Sequence, residues 1–262
     1  MAITASTWDP AQYLRFSDER LRPALDLLAQ VPLEAVTQVV DLGCGAGNVT
    51  AVLRRRFPHA AVLGVDGSAA MLAKARAAAP DCRFEQGDFA TWAPAAGEPV
   101  PDLIYSNAAL HWLGGHEALF PRLVSLLAPG GVLAVQMPAM HDAPLRRLQI
   151  EVAAYGPWAE TLHDAKFARA ILSADAYYDL LRPHVAALDL WETTYLHVLS
   201  GEDAVVEWAA GSSLRPFLDR LPEALRAEYR SAYAAALRPH YPRRFDGATL
   251  LPFRRLFLVA RR

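Results

Sequence analysis

The sequence predicts an α/β protein built on a doubly wound, mostly parallel seven-stranded sheet with a helical cap. Three observations predict it. Short β-branched runs alternate with alanine- and leucine-rich amphipathic segments as far as residue 137. A run of three alternate glycines lies where the first strand turns into the first helix of that series. Beyond residue 138 helical segments dominate, and two strand-like runs return late. Strands and helices that alternate at this spacing imply right-handed crossovers and a parallel sheet covered on both faces.

The elements follow in order. Gln38–Leu42, Ala61–Asp66, Arg83–Gln86, Asp102–Ser106 and Gly131–Met137 read as the first five strands. Asn48–Phe57, Ala69–Ala78 and His116–Leu127 read as helices between them, the last closed by the turn signal Pro129-Gly130-Gly131. Residues 138–183 read as helical without a strand, Asp189–Leu199 as a sixth strand, 202–240 as helical again and Phe253–Arg261 as a seventh. No Gly/Ser linker or internal repeat interrupts the chain. The expectation is one domain over 1–262, with a nucleotide-type core over 31–137 and cap segments over 138–183 and 200–250.

Composition narrows the class. The chain has 262 residues, and its hydrophobic fraction of 53% supplies enough apolar surface for a buried core. Its 26 basic and 28 acidic side chains nearly balance, so it lacks the basic field that binding to a phosphate backbone requires. No nucleic-acid partner is expected. Two cysteines, Cys44 and Cys82, give no disulfide framework, and no His/Cys spacing suggests a metal site. No apolar run approaches the roughly 20 residues that span a bilayer. The opening MAITASTWDPAQYLRF has neither a basic leader nor an apolar core, so no membrane association is expected and the location expected is cytoplasmic.

The most informative segment is VVDLGCGAGNVT, Val39–Thr50. Gly43, Gly45 and Gly47 follow a strand and precede a helix, where the backbone must turn at positive φ and let a ligand approach without a Cβ. Asp66 ends the next strand, where an acid accepts hydrogen bonds from ribose hydroxyls. The same glycines would also suit a tight turn with no ligand. A dinucleotide enzyme is the poorer reading, because its pattern is G-x-G-x-x-G.

With Asp41 ahead of it, D-x-G-x-G-x-G resembles motif I of the Rossmann-like class I methyltransferases. Gly67, Ser68 and Met71 after Asp66, and Gly87-Asp88-Phe89 after the third strand, lie where that family flanks the adenine. Leu127–Leu133 resembles its turn into strand five. The segment Ser106-Asn107-Ala108-Ala109-Leu110-His111-Trp112 lacks the Asn/Asp-Pro-Pro-aromatic pattern of amide and amino methylation. Neither cysteine follows a proline, as a cytosine-C5 nucleophile would. Cys44, inside the glycine turn, reads as a small packed side chain.

Other segments narrow the resemblance to the trans-aconitate 2-methyltransferases. They are Trp8–Ser17, Glu19–Pro23, Asn107–Trp112, Ala134–Pro138, Ala176–Tyr178, Trp191–His197, Leu214–Pro216 and Pro252–Phe257. These matches reach both ends of the chain, and residues 142–174 match least. The resemblance implies S-adenosyl-L-methionine as cofactor, enclosed by residues 43–47 and Asp66. It implies methyl transfer to a carboxylate of trans-aconitate or a similar small polycarboxylic acid, giving a monomethyl ester. The alternatives are methylation of another small metabolite at oxygen or carbon, and a non-catalytic relative that only binds.

A carboxylate is already ionised at pH 7, so no general base is needed and none is assigned. Arginine forks are the natural partners for the remaining carboxylates. Arg22 with Tyr13 is expected at the cofactor's own carboxylate, and Asn107 beside the cofactor. Arg215 is expected to hold the substrate, with one of Arg254 and Arg255, which alternate across a strand; Arg254 is preferred. Trp112, Tyr178, Tyr195 and Trp208 are candidate pocket walls, although aromatics at such spacings also build cores. His111 and His197 read as hydrogen-bonding or packed residues.

Overall fold

The computed structural model describes residues 21–163, 171–211 and 213–262. Helix α1 spans Arg22–Ala29 and is followed by β1 (Gln38–Leu42), α2 (Asn48–Arg56), β2 (Ala61–Asp66), α3 (Ala69–Ala78) and β3 (Arg83–Gln86). Then come β4 (Leu103–Asn107), a 3₁₀ turn at Leu110–Trp112, α4 (His116–Ser125) and β5 (Val132–Pro138). Helices α5 (Pro144–Ala153), α6 (Ala159–Leu162) and α7 (Ala174–Leu181) precede β6 (Ala187–Leu199). The chain ends with α8 (Ala204–Ala210), α9 (Arg215–Leu218), α10 (Glu223–Leu237) and β7 (Thr249–Arg261).

The seven strands form one sheet in the order β3-β2-β1-β4-β5-β7-β6. The first five are parallel; Val39, for example, lies opposite Val62 on one side and Leu103 on the other. Gly131 bonds to Arg262 while Ala139 bonds to Arg254, so numbering falls on β7 as it rises on β5 and the two run antiparallel. Chain order reverses between β1 and β4, and that is where open α/β sheets bind ligands, beyond the carboxyl ends of the strands.

Burial explains why the central strands read as apolar runs. From Leu103 to Tyr105 and from Val132 to Val135 every side chain is fully buried, as strands covered on both faces require. Edge strand β3 is mostly exposed. Strand β7 begins earlier than expected, at Thr249, with Pro252 inside it. Arg254 and Arg262 turn their backbone groups toward β5, so position 252 faces the same side, past the last β5 residue. The missing N–H there removes no ladder bond.

The chain divides into two compact units. The described part of the first comprises 21–137, 172–192 and 256–262, and the second contains 138–163 and 193–255 apart from position 212. The second unit has its own core, in which Trp158 meets Tyr229 edge-on at 5.3 Å and Phe217 stacks on Tyr229 at 5.8 Å. Its buried hydroxyls are matched: Tyr229 donates to the Gln149 carbonyl at 2.9 Å and Tyr233 to the Leu145 carbonyl at 2.6 Å. These two bonds tie α10 to α5. Among the described residues no helix is long and apolar enough to cross a membrane.

Candidate active site

The three glycines of the turn answer three different demands. A Cβ on Gly43 would lie 2.1 Å from the Ala109 Cβ, and one on Gly47 would lie 2.8 Å from the Ala75 Cα in α3. Those two positions are closed by protein. A Cβ on Gly45 would meet nothing within 4 Å, although φ is +54° there. Gly45 therefore borders open space, and its backbone is exposed to whatever fills that space.

Four amides of the turn are engaged within the protein. Gly43 and Cys44 donate to the Val65 carbonyl at 2.8 and 3.0 Å, and Gly47 donates to the Cys44 carbonyl at 3.0 Å. Gly45 donates to Asp66 Oδ2 at 2.9 Å. The other oxygen of Asp66 accepts from the Ser68 amide at 2.8 Å. Around the enclosure expected from residues 43–47 and Asp66, four amides of the turn are thus taken up within the protein, and Asp66 offers acceptors beside the open space at Gly45. A carboxylate offers about four lone-pair positions, so two remain for the hydroxyls of a ribose.

Ser68 also caps α3, accepting from the Met71 amide at 3.3 Å, which starts the helix where Met71 stays exposed. Asp88 Oδ1 accepts from the Ala90 amide at 2.9 Å, and Phe89 lies 4.0 Å from a Cβ placed on Gly43. The Gly67 carbonyl accepts from the Gln86 side chain at 3.0 Å. Asn107 ends β4 with its Oδ1 buried and without a hydrogen-bond partner among the described residues. A buried unsatisfied oxygen costs about 1–3 kcal/mol, so it points to a donor from a bound molecule. The next residue, Ala108, has φ +53°, a strained backbone of the kind that gathers at functional sites.

Asp41 lies beneath the turn, 1% exposed, and accepts from the Thr50 hydroxyl at 2.7 Å. Burial pushes its carboxyl up to about 7; the Thr50 hydroxyl opposes this and the Asp66 charge adds to it. Asp41 thus fastens β1 to the first turn of α2. Cys44 is a buried, packed side chain, and that burial, with the charges of Asp41 and Asp66, pushes its thiol up to about 12.

The other expected residues are distributed over both units. Tyr13 lies outside the described residues. Arg22 opens α1 with an exposed side chain, its Nε 3.9 Å from Asp26. In the first unit, Trp112 and Tyr178 are about half exposed, and Trp112 lies against the His111 ring at 4.9 Å. In the second unit, Tyr195 is buried on β6, and Trp208 stacks on the His197 ring at 4.6 Å. Arg215 is exposed, 3.5 Å from Asp219.

Arg254 is half-buried, with its Nε donating to the Ala139 carbonyl at 3.1 Å. Its neighbour Arg255 is the deeply buried one, 5% exposed, with its guanidinium over the rings of Phe253 at 4.8 Å and Tyr195 at 5.9 Å. Burial pushes it down to about 10, which still leaves it charged at neutral pH. Burial also holds the Arg146 guanidinium below its usual value. Nothing in the local sequence of α5 distinguished Arg146 from Arg147, because helix facing alone separates a half-buried arginine from an exposed one. Alternation announced that 254 and 255 differ, but not which of the two is buried. Ala109 was also missed, and its signal is simply a small residue where Gly43 needs one.

Comparison with known proteins agrees with this geometry. The model of a methyltransferase domain family matches residues 39–131. The trans-aconitate 2-methyltransferase of Paracidovorax citrulli is 53% identical over 256 residues, covering 97% of this chain and 98% of that protein. The protein of the same name from Variovorax paradoxus is 52% identical with the same coverage. Among solved structures, the YcgJ protein from Bacillus subtilis matches with a TM-score of 0.60 at 13% identity, over 92% of this chain and 98% of that one. A methyltransferase from Thiobacillus denitrificans, solved with S-adenosyl-L-homocysteine, matches with a TM-score of 0.51 at 20% identity, over 94% and 92%. The solved structures share the Rossmann-like methyltransferase fold, and half-identity along nearly the whole length decides the rest: the chain belongs to the trans-aconitate 2-methyltransferase family.

Proposed function

We propose that this chain methylates one carboxylate of trans-aconitate, with S-adenosyl-L-methionine as the methyl donor, and releases the monomethyl ester. The observation that carries the reading is the open space at Gly45 beside Asp66, in a chain half identical to proteins named for that reaction. When bound, the donor supplies a methyl carbon activated by the sulfonium charge; the carboxylate oxygen takes that carbon and the sulfur keeps the bonding pair.

The chain's own residues have three tasks. Asp66 receives ribose hydroxyls on the lone pairs that the Gly45 and Ser68 amides leave over, and Asn107 Oδ1 accepts from a donor group of the bound molecule. Met71 and Phe89 border the adenine, Asp88 lies at its edge, and Gly67 leaves room between Asp66 and Ser68. Arg22, with Tyr13, meets the carboxylate of the donor's methionine end. For the acceptor, Trp112, Tyr178, Tyr195 and Trp208 are the aromatic candidates, and Arg215, with Arg254 or the buried Arg255, the cationic candidates for the carboxylates that do not react. No proton moves, because the acceptor carboxylate is ionised at neutral pH. Alignment and exclusion of water are then the main contributions, worth about 7–11 kcal/mol where reacting groups are well placed.

A labelled-methyl assay against a panel of organic acids tests the reading. Trans-aconitate should be the preferred acceptor, and preference for a monocarboxylic or aromatic acid would replace it. If no acid is labelled while the donor still binds, the chain is a binding relative without turnover.

A further inference from the structure

The imidazole of His116 is buried, 5% exposed, on the first turn of α4, and both of its nitrogens are engaged. Its Nδ1 lies 2.5 Å from the hydroxyl of Tyr177, which is fully buried on α7, and its Nε2 lies 3.1 Å from the Leu110 carbonyl. A carbonyl can only accept, so Nε2 carries the hydrogen. Nδ1 is then the lone-pair nitrogen, and the Tyr177 hydroxyl must donate to it. One tautomer satisfies both contacts. The rings reinforce the arrangement, with Phe120 packed 5.1 Å from His116 and 4.9 Å from Tyr177.

The two ends of this relay hold the residues read above as acceptor walls. Leu110 begins the 3₁₀ turn that carries Trp112, and the Leu113 amide returns to the Leu110 carbonyl at 2.9 Å. Ala109, one residue earlier, fills the space over Gly43. Tyr177 faces inward on α7 and its neighbour Tyr178 faces out. The strained Ala108 directly precedes this turn, and a strained backbone persists only where its surroundings hold it. We infer that His116 and Tyr177 are positioning residues, which lock the turn after β4 to α7 and so fix Trp112 and Tyr178 for the methyl acceptor. This rests on the reading of those two aromatics as acceptor walls.

In the neutral imidazole the Tyr177 hydroxyl donates to Nδ1; a proton on Nδ1 would make that nitrogen the donor and the hydroxyl oxygen the acceptor, so the pair reverses its direction and does not part. Burial holds His116 below its ordinary value, with the carbonyls of Leu110 and Leu113 and the charge of Glu117 opposing. Glu117 is on its own helix, α7 presents the Tyr177 hydroxyl, and the turn presents the two carbonyls. Burial thus keeps the imidazole neutral, and the Tyr177 hydroxyl donating, to a pH below the range of an exposed histidine.

The test compares wild type with Tyr177→Phe, using trans-aconitate and S-adenosyl-L-methionine as probes. Losing one buried hydrogen bond should raise KM for trans-aconitate about 3- to 10-fold, with the calorimetric Kd for the donor unchanged. Nitrogen-15 NMR of the wild type should show the His116 hydrogen on Nε2. If wild type does not turn the acid over, the proposed function falls. If it does, and a folded Tyr177→Phe keeps KM, the inference alone is overturned. An Nδ1–H tautomer, or equal losses in donor and acceptor binding, overturns it as well; the NMR reading stands even if the variant fails to fold.

Discussion

Ala109 occupies the place that a side chain on Gly43 would take, 2.1 Å from where that Cβ would be. The loop after β4 and the glycine turn after β1 thus meet through the absence of one atom. Gly43→Ala should force the two apart and lose a large part of the stability, and Ala109→Val should do the same from the other side. Overpacking of this kind costs about 1–3 kcal/mol, and the positive φ adds to it for Gly43→Ala. Thermal or urea melts of both variants check it.

Gly45→Ala should behave differently. No atom lies within 4 Å of the added methyl, so only the φ of +54° penalises the fold, by about 1–2 kcal/mol. The methyl would instead enter the open space. Donor affinity should fall at least about tenfold, a loss of about 1.4 kcal/mol. If calorimetry gives wild-type affinity in this variant, the donor does not lie against Gly45.

Asp66→Asn should keep an acceptor but lose the charge that binds two amides and serves the ribose. Hydrogen bonds to a charged group are worth about 1.5–3 kcal/mol, so donor Kd should rise about 10- to 100-fold with a smaller change in melting temperature. Asp66→Ala should add a loosened turn, because the Gly45 and Ser68 amides then lose their shared acceptor.

Asp41 should leave a pH signature in stability. Its folded value, about 7, lies above the unfolded 3.8. The stability contributed by the neutral carboxyl is fully present below about 3.8 and is lost as pH rises through about 7, because the unfolded chain releases the proton first. The gap corresponds to at most about 4 kcal/mol. Melts of wild type minus Asp41→Asn between pH 4 and 8 should therefore show wild type losing ground as pH rises. A flat difference would mean that Asp41 is ionised throughout.

The core was legible because its signals are local. The bounds expected for β1, β2, β3 and α3 coincide with those of the structure, β1 and β2 resting on valine-rich runs and the glycine turn between β1 and α2. The β4 and β5 strands each lie one residue later than expected, since nothing in Asp102 or Gly131 marks where the ladder begins. The second unit was harder to divide. Residues 202–240 read as one helical stretch, yet Gly211, Pro216 and Pro222 split it into α8, α9 and α10. In the site, residue types at the glycine turn gave positions but not partners. Asp41 was expected among the cofactor-binding residues from its place in the motif, but its burial and its bond to the Thr50 hydroxyl could not be read from residue type. The His116–Tyr177 pair joins residues 61 positions apart, which no local pattern reveals.

Catalysis without a base leads to a last prediction. If the acceptor is an ionised carboxylate, kcat should vary by less than about twofold between pH 7.5 and 9, above the titration of Asp41 and His116. Cys44, pushed up to about 12, titrates outside that window and cannot impose a slope. Arg255, at about 10, begins to lose its proton only at the alkaline end, where a cation for the unreacting carboxylates would show as rising KM, not falling kcat. A bell-shaped kcat profile inside the window would require an acid–base pair. The acceptor would then have to be a group that gives up a proton, a hydroxyl or a carbon acid in place of a carboxylate.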